Sequence, residues 1–200
     1  MITESTDPIK EFLEQMAGTV SAISQKEIWA IVQVLFDAWQ NGQSVYLCGN
    51  GGSAATASHM ANDLNKYTIV NGKPRLRAIA LTDNIPVITA WANDTDYANI
   101  FAEQLLNFAK SKDILIAIST SGNSLNVLRA LEMAHDLNVI TVGFTGNHGG
   151  KLKNLVDYCV YIPDDYIGCQ EVGHLILDHV IAYTLRWMIA NDNQVLGDNS

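Results

Sequence analysis

Two groups of histidine and carboxylate side chains have a spacing that would let them do chemistry together. His59 and Asp63 are four residues apart, so on a helix they share one face. A second group lies within the apolar stretch 168–190: Glu171, His174, Asp178 and His179. Imidazole with carboxylate suits a general acid and base, or a borderline metal ion such as zinc. Ion pairs on solvated helix faces would give the same pattern, so both interpretations stay open.

A segment rich in hydroxyl groups suggests a phosphate site. Segment 119–124 reads STSGNS and contains Ser119, Thr120, Ser121 and Ser124 between an apolar run and a helical pattern. One hydroxyl is enough to cap a helix. Four hydroxyls can satisfy the oxygens of a phosphoryl group, so we predict phosphate binding here, with a plain turn and cap as the alternative.

The glycine-rich segment 48–58, CGNGGSAATAS, is a second candidate for ligand binding. It has neither the G-x-G-x-x-G spacing of a dinucleotide site nor the Gly-Lys-Ser/Thr of a P-loop. Its glycines permit a close backbone approach, and Ser53 stands where a helix begins; a plain turn with a helix cap is the equally weighted alternative. Two other polar positions are less specific: Asp94 could bind a ligand or cap a helix, and segment 145–150, TGNHGG, is predicted to be structural.

The elements that must position these groups follow from the hydrophobic pattern. Three-four periodicity predicts helices, and short apolar runs between them predict strands buried on both faces of a parallel sheet. The strands are predicted at 44–48, 77–81, 113–119, 138–144 and 157–163. The helices are predicted at 7–23, 26–40, 54–66, 84–92, 97–110, 124–136 and 168–190.

This alternation predicts one doubly wound α/β domain over residues 1–200. A helical extension covers about 1–42, the sheet core covers about 43–190, and the tail after Ala190 is expected to fray. Ligands of such sheets bind outside the carboxyl ends of the strands. The polar turns named above follow predicted strands and therefore converge on that edge.

Composition excludes several classes of function. The 200 residues are 48% hydrophobic and 16% charged, as in a globular protein, and no apolar run is long enough for a membrane span. A net charge of -9 argues against direct nucleic-acid binding, although a helix N-terminus can still hold an anion. The polar start of the chain and three cysteines without ligand-pair spacing predict a cytoplasmic protein with reduced thiols: Cys48, Cys159 and Cys169.

Five segments, in order, carry a resemblance to a known family. They are GNGGSAATASH (49–59), AWANDTDYANIFAEQL (90–105), ISTSGNSLNVLRA (118–130), GFTGNHGGKL (143–152) and EVGHLILDH (171–179). Together they resemble the sugar isomerase (SIS) family, in particular its phosphoheptose isomerase branch, over residues 26–187. The resemblance implies a three-layer, flavodoxin-like sheet of five parallel strands. It also implies a homotetramer whose active sites lie between subunits.

The same resemblance implies a reaction and a set of site residues. Sedoheptulose 7-phosphate would become D-glycero-D-manno-heptose 7-phosphate by proton transfer between C1 and C2 through an enediol. Asp63 would be the general base and His179 the general acid. Zinc would be held by His59, Asp63, Glu171 and His179. The substrate would contact Asn50, Gly51, Gly52, Ser53, Asp94, Ser119, Thr120, Ser121, Ser124 and Glu171.

The chain departs from the family pattern at three positions, which keeps a second function open. The family has Glu where this chain has Asp63, often Gln at Glu171, and commonly Arg at Tyr67, whereas the spacing of His174 and His179 matches. Some SIS proteins are non-catalytic sensors or scaffolds, and one binds a replication initiator as a tetramer. Asp63 favours that alternative, and the retained His179 favours the isomerase.

Overall fold

A five-stranded parallel sheet forms the centre of the protein. The computed structural model describes residues 7–192, so most of the tail expected to fray lies outside the described residues. The strands are β1 Ser44–Gly49, β2 Arg77–Ala80, β3 Ile114–Ser119, β4 Ile140–Thr145 and β5 Tyr158–Tyr161. Their order is β2-β1-β3-β4-β5, and all pairs are parallel. This confirms the predicted doubly wound, flavodoxin-like class.

Seven α-helices surround this sheet within the described residues. They are α1 Pro8–Ala22, α2 Gln25–Gln40, α3 Gly52–Asn62, α4 Ile85–Asp94, α5 Ala102–Phe108, α6 Leu125–Asp136 and α7 Ile167–Asn191. The helix predicted at 97–110 is divided: a 3-10 turn, capped by the side chain of Asp96, precedes α5. The helix predicted at 54–66 begins at Gly52 and ends in a π-helical turn, Asp63–Tyr67.

Two apolar layers pack on the opposite faces of the sheet. On β1, Val45 and Leu47 face a core built with α2, α3 and α7, while Tyr46 and Cys48 face a core built with α5 and α6. Alternate side chains of a strand point to opposite faces, and both faces are covered here. The central strands β1, β3 and β4 are therefore mostly apolar, and most of the polar groups lie at or beyond the strand ends.

Helices α3 and α7 lie side by side and run in the same direction in a fixed register. Glu171 lies at Gly52, Asp178 faces His59, and Arg186 donates a hydrogen bond to the Tyr67 carbonyl; each pair is 119 residues apart. This register carries past the π-helical turn and decides which polar groups of α7 meet those of α3. Among residues 7–192, none of the helices has the length and apolar character needed to cross a membrane.

Candidate active site

A polar cavity of about 250 Å³ opens at the carboxyl ends of β1 and β3. These two neighbouring strands form the point at which the strand order reverses, the usual place for a ligand in this fold. Eight of the ten residues predicted to bind substrate line this cavity; Ser121 and Asp94 do not. The turns after two different strands therefore meet in one place, as the sequence predicts.

Three helices begin at this cavity without a side-chain cap. Helix α3 starts after Gly51, α6 after Ser124 and α7 after Tyr166, and none of these residues makes a capping hydrogen bond through its side chain. Gly51 has a φ of 54°, a conformation that favours glycine. Free N–H groups and the positive ends of helix dipoles attract an anion. This end of the cavity suits a phosphoryl group.

The hydroxyl groups of segment 119–124 are directed toward one another. The Oγ atoms of Ser119 and Ser124 are 3.2 Å apart, and those of Ser119 and Ser121 are 3.5 Å apart. Ser124, considered above as a helix cap, does not serve as one. These hydroxyls can therefore turn toward a bound oxygen without first giving up a capping bond.

The glycine-rich segment 145–150 supports the hydroxyl segment from behind. Gly146 N donates to Thr120 O at 3.0 Å, and Leu152 N donates to Gly122 O at 3.0 Å. Gly122 has a φ of 61°, and a Cβ there would lie 2.0 Å from Gly149 O. The two segments thus meet backbone to backbone, which agrees with the structural role predicted for 145–150.

Asn50 is held by a partner that the sequence does not reveal. Its side-chain amide and that of Asn126 exchange two hydrogen bonds of 2.8 Å, and the Tyr97 hydroxyl donates to Asn50 Oδ1 at 3.3 Å. Asn126 belongs to α6, where a lone Asn gives no functional signal. Asp94 is exposed at the end of α4 and accepts a hydrogen bond from Asn93 at 2.8 Å. Asn50 is therefore hydrogen-bonded to Asn126 and Tyr97, and none of its hydrogen bonds involves Asp94.

Four acidic and imidazole side chains form a second cluster, farther along α3 and α7. One ligand atom from each lies within 4.8 Å of the others, in His59, Asp63, Asp178 and His179. Asp63 Oδ2 is 3.2 Å from His179 Nδ1 and 3.8 Å from His59 Nε2. The two imidazole rings are 5.0 Å apart at an angle of 87°. The structure thus brings together three of the four predicted zinc ligands.

Glu171, the fourth predicted ligand, lies apart from this cluster. Its carboxylate lies beside the start of α3, so that a Cβ on Gly52 would be 2.5 Å from Oε1. Asp178 lies in the cluster where Glu171 was predicted, because it follows Glu171 by two helical turns, about 10 Å along α7. Glu171 lines the polar cavity at the ends of β1 and β3 instead. The preceding Gln170 is buried and donates to Asp164 O at 2.8 Å, so it faces away from both sites.

Asp178 is in an unusual electrostatic environment for a carboxylate. Its side chain is fully buried, and neither oxygen has a hydrogen-bond partner among the described residues. Burial, and secondly the negative charge of Asp63, raises the pKa of Asp178 to about 7. Burying a charged group without a partner is costly. A bound cation at this place would remove that cost, so the donor set fits a metal ion.

His174 contributes to packing and not to acid-base chemistry. Its Nε2 lies 3.0 Å from the Thr145 carbonyl, and burial lowers its pKa to about 4 although that hydrogen bond opposes the shift. It is therefore neutral near pH 7. His179 differs because it is exposed and reaches Asp63.

Comparisons with known proteins agree with this geometry. The family described as the SIS domain matches residues 10–146. The phosphoheptose isomerase of Clostridium acetobutylicum is 39% identical over 157 residues, which cover 78% of this chain and 79% of that protein. The one of Crocosphaera subtropica is 45% identical over 140 residues, 70% and 71% of the two chains.

A solved structure gives the same assignment at the level of the fold. The structure of a phosphoheptose isomerase from Francisella tularensis superposes with a TM-score of 0.86 at 31% identity. The superposition covers 92% of this chain and all of that one, 100%. The chain therefore belongs to the SIS domain family, in the group of the phosphoheptose isomerases.

Proposed function

We propose that this protein is an isomerase that converts sedoheptulose 7-phosphate into D-glycero-D-manno-heptose 7-phosphate. The observation that carries the proposal is the placement of two sites along one helix. The start of α3 borders the phosphate-binding cavity, and His59 and Asp63 follow on the same helix. From Ser53 to His59 the helix rises about 9 Å. An extended sugar phosphate can place its phosphate at one end and its carbonyl carbon near the other.

The residues then take distinct roles in the proposed reaction. Free N–H groups of the helix starts hold the phosphate together with hydroxyls from Ser53, Ser119, Thr120, Ser121 and Ser124. Asn50 and Glu171, which line the cavity, contact the sugar hydroxyls together with Asp94. Asp63 takes a proton from C1 while His179 donates one to the C2 oxygen, which gives the enediol; a proton is then returned to C2 while the C1 hydroxyl gives up its own, which leaves the aldehyde. The 3.2 Å contact between these two side chains supports their action as a pair.

We also propose that the site holds a zinc ion through His59, Asp63 and His179. Two imidazoles and a carboxylate are a usual donor set for zinc, and the unpartnered carboxylate of Asp178 beside them fits a cation. When bound, the ion would stabilise negative charge on the substrate oxygens.

The proposed assembly is a homotetramer with active sites between subunits, formed in the cytoplasm by a single-domain chain. A depression of about 420 Å³ next to the cluster is lined by Asp63, Tyr67, His179 and Tyr183. Beyond it, α7 exposes apolar side chains: Tyr183 is 64% exposed and Trp187 is 58% exposed. A second subunit covering this surface would close the site. The three free cysteines support a reducing compartment.

Turnover of the sugar phosphate tests the proposal directly. The purified, zinc-loaded protein should convert sedoheptulose 7-phosphate into the aldose, followed by NMR in D₂O, where deuterium enters at C2. Asp63→Asn should reduce the rate about a hundredfold or more, because a general base contributes roughly 10²–10⁴. Asp136→Asn, an exposed carboxylate on α6, is the matched control and should retain full activity.

A non-catalytic sensor is the second candidate, favoured by Asp63 in place of the family's Glu. It requires that the protein bind sedoheptulose 7-phosphate tightly without converting it. Calorimetric binding together with absent turnover would replace the isomerase proposal with this one.

A further inference from the structure

The interior of the α3–α7 contact contains a carboxylate that the protein itself does not satisfy. Asp178 is fully buried, and neither of its oxygens has a hydrogen-bond partner among residues 7–192. The imidazole of His59 lies opposite it, with Nε2 3.9 Å from Oδ2. A hydrogen bond between imidazole and carboxylate would be about 2.7–3.2 Å long. The two groups face each other across a gap that is too wide for a direct bond.

This gap has the size expected between two ligands of one metal ion. Zinc binds nitrogen and oxygen at about 2.0–2.2 Å, so the corners of a tetrahedral site lie roughly 3.4 Å apart. The separations in the cluster are 3.2 Å, 3.8 Å and 3.9 Å. All four donor atoms also lie within 4.8 Å of one another, so their separations are compatible with ligands of one ion.

The helix register selects Asp178 over Glu171 for this point. Asp178 lies at the level of His59, whereas Glu171 lies at the level of Gly52, two turns away. Both carboxylates lie on nearly the same face of α7, because seven residues make almost two whole turns. They therefore face the same neighbouring helix at different heights, and only one of them reaches the imidazoles.

We propose that Asp178 is the second carboxylate ligand of the metal ion, with His59, Asp63 and His179, and that Glu171 serves the sugar phosphate instead. This inference rests on the metal site of the proposed function. It changes the ligand set implied by the family resemblance at one position and gives the buried carboxylate its missing partner.

A cysteine at each position tests direct coordination. In full-length protein loaded with Co²⁺, Asp178→Cys should produce a near-ultraviolet charge-transfer band from a thiolate bound to cobalt. The wild-type protein, with its three native cysteines, and Glu171→Cys should not. A band in Glu171→Cys and none in Asp178→Cys would overturn the proposal.

Zinc affinity gives an independent measure with isosteric variants. In competition with a chromophoric chelator, Asp178→Asn should bind Zn²⁺ at least tenfold more weakly, and Glu171→Gln should bind it within twofold of wild type. Glu171→Gln should instead raise KM for the sugar phosphate. If Asp178→Asn lowers the affinity but leaves the visible Co²⁺ spectrum unchanged, the residue only positions His59 and the proposal is wrong.

The outcomes separate this inference from the proposed function. A wild-type protein that binds zinc and isomerises the sugar, with both properties unaffected by changes at Asp178, would refute the inference alone. A wild-type protein that binds no zinc would refute both the metal site and the inference, whereas turnover measured in the same preparation would still decide the isomerase activity.

Discussion

His174 and Asp178 are one helical turn apart on α7, and both are buried titratable groups with opposite consequences. Desolvation disfavours the charged form of each, so it lowers the pKa of the histidine and raises that of the carboxylate. The neutral histidine keeps one hydrogen-bond contact, between Nε2 and the Thr145 carbonyl, although its buried Nδ1 has no partner among the described residues. The carboxylate has no such bond, which is why it points to a ligand and the histidine does not.

His174 should make the stability of the fold depend on pH. Its pKa falls from 6.5 to about 4 on folding, so between these values the unfolded chain binds a proton that the folded chain excludes. As the pH is lowered from 7.5 to 5.0, this residue should therefore reduce the free energy of unfolding by about 2 kcal/mol. The raised pKa of Asp178 acts in the opposite direction over this interval, so the contribution of His174 is measured as the difference between wild type and a His174 variant in urea unfolding.

A pair of variants isolates this contribution. His174→Gln can keep a hydrogen bond to Thr145. Over the same pH interval its free energy of unfolding should fall by about 2 kcal/mol less than that of wild type. His135→Gln, at an exposed position, should behave as wild type. Equal pH dependence in all three proteins would show that His174 is not the group responsible.

Segments 119–124 and 145–150 meet backbone to backbone at the end of the cavity where we propose that phosphate binds. We expect Gly122→Ala to destabilise the protein by about 3 kcal/mol or more, because the new side chain adds a collision to an unfavourable φ. It should also weaken binding of the sugar phosphate, measured by calorimetry, since the hydroxyl segment must move away from Gly149.

Gly42→Ala is the matched control for this effect. Gly42 has a φ of 65°, close to that of Gly122, but a Cβ there would meet nothing within 4 Å. This variant should be destabilised by only about 1–2 kcal/mol, the cost of a non-glycine residue at this φ, and should keep its affinity for the sugar phosphate. Similar losses in the two variants would mean that the segment contact is not tight.

The exposed apolar surface of α7 connects assembly with activity in the whole molecule. Trp187→Asp should shift the proposed tetramer, four chains of 21.9 kDa, toward smaller species and reduce turnover. Light scattering after size exclusion and the isomerase assay measure the two effects. Leu106→Glu changes a side chain that is 50% exposed on α5, across the sheet, and should alter neither. Unchanged assembly in Trp187→Asp would place the subunit interface elsewhere.

Local patterns and long-range geometry contributed differently to what the sequence could predict. The strands, the helices and the hydroxyl segment were predictable because each depends on neighbouring residues. The position of Asp178, rather than Glu171, beside His59 was not predictable, since it depends on how α7 is aligned with α3. The Asn50–Asn126 pair also joins residues that are distant in sequence, 76 positions apart. Such partners appear only when the sheet brings two turns to one edge.

The shared register of α3 and α7 fixes the distance between the two ends of the proposed substrate site. Two turns on each helix separate the phosphate end, at Gly52 and Glu171, from the proposed metal end, at His59 and Asp178. Deleting one residue between these points on a single helix would rotate its far end by about 100° and disconnect the two sites. If the proposed phosphate and metal sites are occupied as described, selectivity for sugar chain length depends on both helices, and a change in one helix alone would disrupt it.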